Sequence, residues 1–268
     1  MAENVAQDVA RDSRNSAPLR FLARTGFAVS GLIHILIGFI AFRVASGGGG
    51  EADQTGALGR VASTPGGAFV LWASTVGLAA LGIWMILSAF LVSTGDPKKR
   101  TSRIVADLGK GVAYLIVAGT AFTFARGSSS SAARNSRQAS AGLLAVPGGT
   151  AIVALIGFVV LGIGVYFVTK GIAKRFTRDI RVPSGTSGTA VVALGVFGYI
   201  AKGVALCVVG VLFAVAAFTF DPSKAAGLDS ALKTLADLPF GQVILSVVGA
   251  GFVAYGLYSV ARAFLARL

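Results

Sequence analysis

Residues 147–171 read PGGTAIVALIGFVVLGIGVYFVTKG, and the reading of this stretch decides the fold. After a proline-glycine-glycine opening it runs without a charged side chain as far as Lys170. At 1.5 Å per residue, roughly 20 such residues cross a hydrocarbon core about 30 Å thick. Gly157, Gly164 and Gly171 recur every seven residues, a spacing that returns to nearly the same face of a helix. Such a stripe lets a neighbouring backbone come close. In lipid that close approach, rather than hydrophobic burial, drives helix association. The stretch is therefore read as a transmembrane helix with a packing seam along one side.

Working outward, apolar runs of similar length occur near residues 25–45, 68–94, 104–125, 150–173, 189–220 and 243–265, which makes six predicted spans. Composition agrees. Hydrophobic residues make up 54% of the chain, charged residues 13%, and the mean hydropathy is +0.77, whereas an ordinary soluble domain carries roughly 25% charged residues. Residues 1–20 are polar and mixed in charge, unlike a signal peptide, and the first apolar run is too long for a cleaved one. They are expected to remain as a cytoplasmic N-terminal tail.

The seven-residue stripe belongs to an internal repeat, which fixes the architecture before any single helix is argued. With Gly31, Gly111 and Gly203 in register, Gly38, Ala118 and Gly210 stand seven residues on. A further seven bring Ala45, Ala125 and Ala217. The second helix of each unit aligns on Pro65, Pro147 and Pro239; from these follow Thr75, Gly82 and Ala89, then Gly157, Gly164 and Gly171, then Gly249, Gly256 and Ala263. An aromatic residue (Trp84, Tyr166, Tyr258) lies two past each middle glycine, and an alanine (Ala57, Ala139, Ala231) eight before each proline. The predicted organisation is a tail over 1–20 and three two-helix repeats over 21–95, 96–175 and 176–268. With two spans per repeat the copies run parallel. The fold class is thus an all-α integral membrane protein of six transmembrane helices, its three repeats arranged about a pseudo-threefold axis along the membrane normal. The glycines and alanines of the stripes are read as helix-packing residues, and a backbone-lined solute pathway is the alternative.

Charge sets the expected orientation. The net charge is +13, and no basic-aromatic module accompanies it, so nucleic acid is not an expected partner. Fifteen Lys/Arg lie in the tail with Arg24, the 95–103 and 170–189 loops and the C-terminus, against seven in the alternate loops with Arg43. By the positive-inside rule both termini are expected on the cytoplasmic side of a plasma membrane. One cysteine, Cys207, and one histidine, His34, give no disulfide, zinc cluster or bis-histidine haem, so no metal or cofactor is expected. One histidine and one intramembrane acid also do not assemble a catalytic site, and the chain is not read as an enzyme.

Gly26-Phe27-Ala28-Val29-Ser30-Gly31, the Gly47–Gly50 run with Asp53-Gln54-Thr55-Gly56-Ala57-Leu58, and Pro65-Gly66-Gly67 resemble a family of bacterial membrane proteins known as domain of unknown function 1206. That family typically repeats a two-helix unit three times. The resemblance covers about residues 20–267. It implies the six-span fold, and no reaction or substrate.

Polar residues inside the spans are the candidate functional groups, because each is costly in lipid. These are Asp107, Lys110, Lys202, His34 and Tyr114. Asp107 and Lys110, three apart, can pair on one helix. Lys110 and Lys202 stand at equivalent repeat positions where the first repeat has Ser30; their stems could also snorkel to the headgroups, or the two could form a basic vestibule for anionic lipid or a small anion. His34 has Tyr114 and Leu206 as equivalents. It is read as a hydrogen-bonded packing residue, with a proton relay as the alternative. The loops within each repeat carry short amphipathic segments. In the third, Leu228, Leu232 and Leu235 make one face and Asp229, Lys233 and Asp237 the other, with Asp53 or Asp229 placed to cap such a helix. The expected function is a structural or protein-interaction scaffold in contact with lipid and a membrane-protein partner; the alternative is a small-solute or anion transporter or channel with a path between the repeats.

Overall fold

A computed structural model describes residues 17–90 and 97–266. Most of the predicted tail, residues 1–16, and the link at 91–96 lie outside the described residues. Six long helices cover the predicted spans: α1 (Ala17–Ala45), α3 (Gly67–Phe90), α4 (Pro97–Ala125), α6 (Gly149–Ile172), α7 (Thr186–Thr219) and α9 (Gly241–Leu265). Each contains a segment long and apolar enough to cross a bilayer. Three short helices occupy the loops inside the repeats: α2 (Gln54–Ala62), α5 (Ala132–Leu144) and α8 (Gly227–Ala236). A 3-10 turn, Arg175–Asp179, follows α6.

Two helices start earlier than their hydropathy suggests. The first begins at Ala17, so residues 17–20, expected as tail, are helical. The fourth begins at Pro97 and takes up Lys98, Lys99, Arg100 and Arg103, expected in a loop. Proline near a helix start is the common cause: Pro18 and Pro97 carry a φ suited to the first turn, and the N–H they lack has no intrahelical acceptor there.

The helices form two compact units, each described by itself. One runs up to Ala57 and resumes at Ala132; the other is Leu58–Ser131. These boundaries cut across the repeats for a physical reason. The glycine seams pair the second helix of one repeat with the first helix of the following one: α6 with α7, α3 with α4, and α9 with α1. In each pair the glycines meet in antiparallel register. A Cβ at Gly31 would stand 2.7 Å from the Gly256 carbonyl oxygen, and one at Gly38 would stand 2.6 Å from that of Gly249. Gly203 faces Gly164 at 2.7 Å and Gly210 faces Gly157 at 2.8 Å, measured in the same way. In the smaller unit Gly82 and Gly111 face each other at 2.9 Å. The register glycines Gly31, Gly111 and Gly203 therefore meet the middle glycines Gly256, Gly82 and Gly164.

The Pro-Gly-Gly motif is explained by backbone geometry. Its second residue is left-handed, with φ of 78° at Gly66, 80° at Gly148 and 62° at Phe240. A side chain there costs roughly 1–2 kcal/mol, which the third repeat tolerates. Its third residue, Gly67, Gly149 or Gly241, presses against a carbonyl oxygen of the preceding short helix and leaves no room for a Cβ. Glycine is invariant among the three copies at this position and only frequent at the other.

In the larger unit α7 also packs on α9, where Gly198 meets the Tyr255 backbone and Gly251 meets Ala201. One buried cluster, including Ile37, Ile40, Leu232, Leu245 and Phe252, joins α1, α8 and α9. A second, of Phe176, Ile180, Tyr199, Tyr255 and Tyr258, is aromatic. Outward faces are apolar too: Phe69, Val76, Leu155, Phe158 and Phe264 are all exposed. Helices hydrophobic on every side suit lipid as the surrounding solvent.

Candidate functional site

Among the polar residues of the spans, the fold brings His34 and Lys202 together. His34 stands on α1 and Lys202 on α7, with Phe167 of α6 and Tyr255 of α9 closing around them. The His34 Nδ1–H donates to the Ser30 carbonyl at 2.7 Å, one turn back on the same helix. This fixes the Nδ1–H tautomer and turns the Nε2 lone pair outward. The Lys202 ammonium donates to that lone pair at 2.9 Å. It also lies 4.3 Å from the centroid of the Tyr255 ring and 5.3 Å from that of Phe167, within cation–π range. The His34 ring in turn stacks on Phe252 at 6.0 Å and tilts against Tyr255 at 4.7 Å. Lys202 thus reaches side chains of three neighbouring helices, α1, α6 and α9.

Asp107, Lys110 and Tyr114 belong to the smaller unit, on α4. Lys110 Nζ donates to Asp107 Oδ1 at 3.1 Å, an i, i+3 pair whose lysine is largely exposed. Tyr114 is half-buried. The equivalence of Lys110 and Lys202 in the repeat therefore does not extend to their partners: a carboxylate for one, an imidazole and two rings for the other.

Toward the end of α7 nearer the 3-10 turn, a second polar group forms that hydropathy does not mark. Lys170 donates to Asp179 at 2.8 Å, and Arg262 approaches the same carboxylate oxygen at 3.8 Å while its guanidinium lies over Phe27 at 4.4 Å. Between this group and Lys202 run Tyr199, Tyr255, Tyr258 and Phe176, with ring centroids 5.1–6.3 Å apart. Tyr258 was readable as the aromatic after Gly256; Tyr199, Tyr255 and Phe167 have no such repeat mark. The one available signal is that α6, α7 and α9 each carry a basic residue, Lys170, Lys202 and Arg262, along with these aromatics.

The loops form a third constellation, wholly within the larger unit. Asp53 begins α2 as its N-cap: Oδ1 accepts the Thr55 and Gly56 amides at 2.8 and 3.0 Å and the Thr55 hydroxyl as well. Asp229 does not cap α8, contrary to one of the two placements its sequence position allowed. It lies in the first turn, buried, where Oδ1 accepts the Ala52 amide at 2.8 Å and Oδ2 pairs with Lys233 at 2.7 Å. The polar face assigned to Asp229 is thus covered by the first repeat's loop. The Thr55 hydroxyl also accepts the Ala132 amide at the start of α5, at 3.3 Å. Loops from all three repeats are therefore tied by hydrogen bonds through the segment 52–55. Ala57 and Ala231 are fully buried under this tie, whereas Ala139 is exposed and Ser140 buried in its place.

Burial pushes the Asp53 carboxyl above the usual carboxylate range; the Thr55 and Gly56 donors pull it back, and the Glu51 and Asp229 charges push it further up. Its Oδ2 has no partner. A carboxyl raised in the folded state favours folding at low pH and loses that contribution as pH rises through the folded value. Asp53→Asn keeps a capping acceptor without the charge. It is expected to stabilise the protein in detergent at pH 7 by on the order of 1 kcal/mol, read as a higher thermal midpoint, and to confer no gain at pH values below the ordinary carboxylate range. An equal gain at both pH values would show that charge is not the cause.

Six apolar helices with buried helix-to-helix glycine seams define a multi-pass α-helical membrane protein built from internal repeats. Residues 25–91, 108–174 and 197–266 each match the Domain of Unknown Function (DUF1206) model, and the chain belongs to that family. It is similar to a protein of Bacillus subtilis (strain 168) described as uncharacterized protein YxxB, with 30% identity over 250 residues covering 91% of this chain and 90% of the relative. No solved structure matches it.

Proposed function

We propose that the chain is a plasma-membrane scaffold whose tied loops present a rigid surface to a second membrane protein. The supporting observation is the cross-repeat tie, Asp229 to Ala52 and Thr55 to Ala132. Hydrogen bonds between loops of different repeats hold the first turn of α2 in fixed relation to α5 and α8, and a surface ordered before binding loses less freedom when a partner docks. The spans support the same reading: their seams close backbone on backbone, and Lys110 and Lys170 each have a carboxylate of the chain itself as partner. The repeats are proposed to follow a pseudo-threefold plan, in keeping with their equivalent glycine pairs. Both termini are assigned to the cytoplasm and the tied loops to the opposite side, on the distribution of Lys and Arg.

Photo-crosslinkers at Gln138 on α5 and Asp237 after α8, both exposed, test this in intact cells. One adduct of constant mass is expected from both positions and none from lipid-facing Val247. Adducts of varied mass, or equal yields from all three positions, would remove the scaffold reading.

A further inference from the structure

We propose that Lys202, with His34 as its resting partner, is an intramembrane binding site for a phosphate-class oxyanion, carried by a lipid headgroup or free in solution. Lys202 is the point at which four spans of the larger unit meet: it stands on α7 and touches His34 of α1, Phe167 of α6 and Tyr255 of α9. None of these contacts carries negative charge. The acid on the adjoining segment, Asp179, is engaged by Lys170 and Arg262. Among the described residues no carboxylate pairs with Lys202, whereas Lys110 at the equivalent position has Asp107.

Charged groups inside a bilayer are almost always paired, and a cation held only by a neutral imidazole and two ring faces is incompletely compensated. An ammonium has three N–H donors. One reaches His34; the rings offer only π faces to the charge. The side chain is half-buried, so one side of it stays open. Lysine acts as a point charge toward phosphate oxygens, and an anion arriving on the open side would draw the ammonium off His34 Nε2. The imidazole remains anchored through Nδ1 to Ser30, so the site is reset when the anion leaves.

His34 is the single histidine of the chain, so selective ¹⁵N-histidine labelling of the untagged protein yields one imidazole whose Nε2 resonance reports the Lys202 hydrogen bond. In dodecyl maltoside micelles, which carry no phosphate, that resonance is expected to shift saturably as phosphatidylglycerol is introduced or as inorganic phosphate is added. A response to the lipid alone identifies the headgroup as the source, and a response to phosphate identifies a free anion. Lys202→Met is expected to weaken the response by about tenfold or more, and Lys202→Arg to retain it. If neither anion moves the wild-type resonance, or if chloride at matched ionic strength moves it equally, the site does not exist. The wild-type titration decides even if Lys202→Met fails to fold. Persistence of the full response in a folded Lys202→Met variant would equally overturn the assignment.

Discussion

Gly203→Leu is expected to destabilise the larger unit by about 3 kcal/mol, at the upper end of overpacking costs. A Cβ at this position would lie 2.7 Å from the Gly164 carbonyl oxygen and 2.7 Å from the Val168 amide nitrogen. Both atoms are backbone, so no rotamer change relieves the clash and α6 and α7 must separate. Separation also withdraws Gly157 from Gly210 and Gly171 from Tyr199, because all three contacts lie on one antiparallel line. Gly162→Leu is the matched control: it lies on α6, is exposed, and has nothing within 4 Å of its Cβ position. A helix-interior glycine replaced by leucine gains helix propensity, so its stability should be equal to or slightly above wild type. Unfolding by sodium dodecyl sulfate from mixed micelles, followed by circular dichroism, measures both. Equal losses in the two variants would mean that the glycine seam does not hold these helices together.

Asp229→Ala is expected to cost about 2–3 kcal/mol and to loosen the loops selectively. A charged acceptor on a buried amide contributes roughly 1.5–3 kcal/mol, and its removal leaves the Ala52 N–H without its acceptor. The ion pair with Lys233 adds less than its 2.7 Å length suggests, because that lysine is 47% exposed and solvent screens it. Lys233→Ala should therefore cost under about 1 kcal/mol. Hydrogen exchange separates the two: in Asp229→Ala the amides of 52–57 and 132–134 should lose protection together, since Thr55 passes the tie on to Ala132, while α6 and α7 amides stay slow. Matching losses for Asp229→Ala and Lys233→Ala would assign the stabilisation to the ion pair instead.

Which features a reader of the sequence reaches depends on whether they are periodic. Gly157, Gly164 and Gly171 show a seam because seven-residue spacing marks a helix face, and the same holds for Gly31 and Gly38. What covers that face is not periodic information: nothing in the spacing says that Gly31 meets Gly256 and not a glycine of its own repeat. Lys202 and His34 each stand out as polar residues in apolar runs, yet they are 168 positions apart and occupy different places in the repeat. Their meeting follows from the α7–α9 and α9–α1 contacts, hence from the pairing order of helices. Asp229 illustrates the opposite difficulty. Its helical spacing puts it on the polar face of α8, and only the arrival of Ala52 from a distant loop covers it there, while Lys233 and Asp237 stay exposed. The start of α4 shows a further limit, since hydropathy reports the apolar length and overlooks the turns that Pro97 adds before it.

The pairing of α9 with α1 has a consequence for biosynthesis. Gly256 leaves the ribosome about 225 residues after Gly31, which at roughly 5–20 residues per second is a wait on the order of 10–45 s. Throughout that interval the first span resides in the bilayer with its glycine groove vacant, while α6 and α7, adjacent in the chain, can zip together at once. The newborn protein thus exposes a helix-accepting groove before it can fill it, and an insertion chaperone or a sister chain could occupy that groove until the last span arrives.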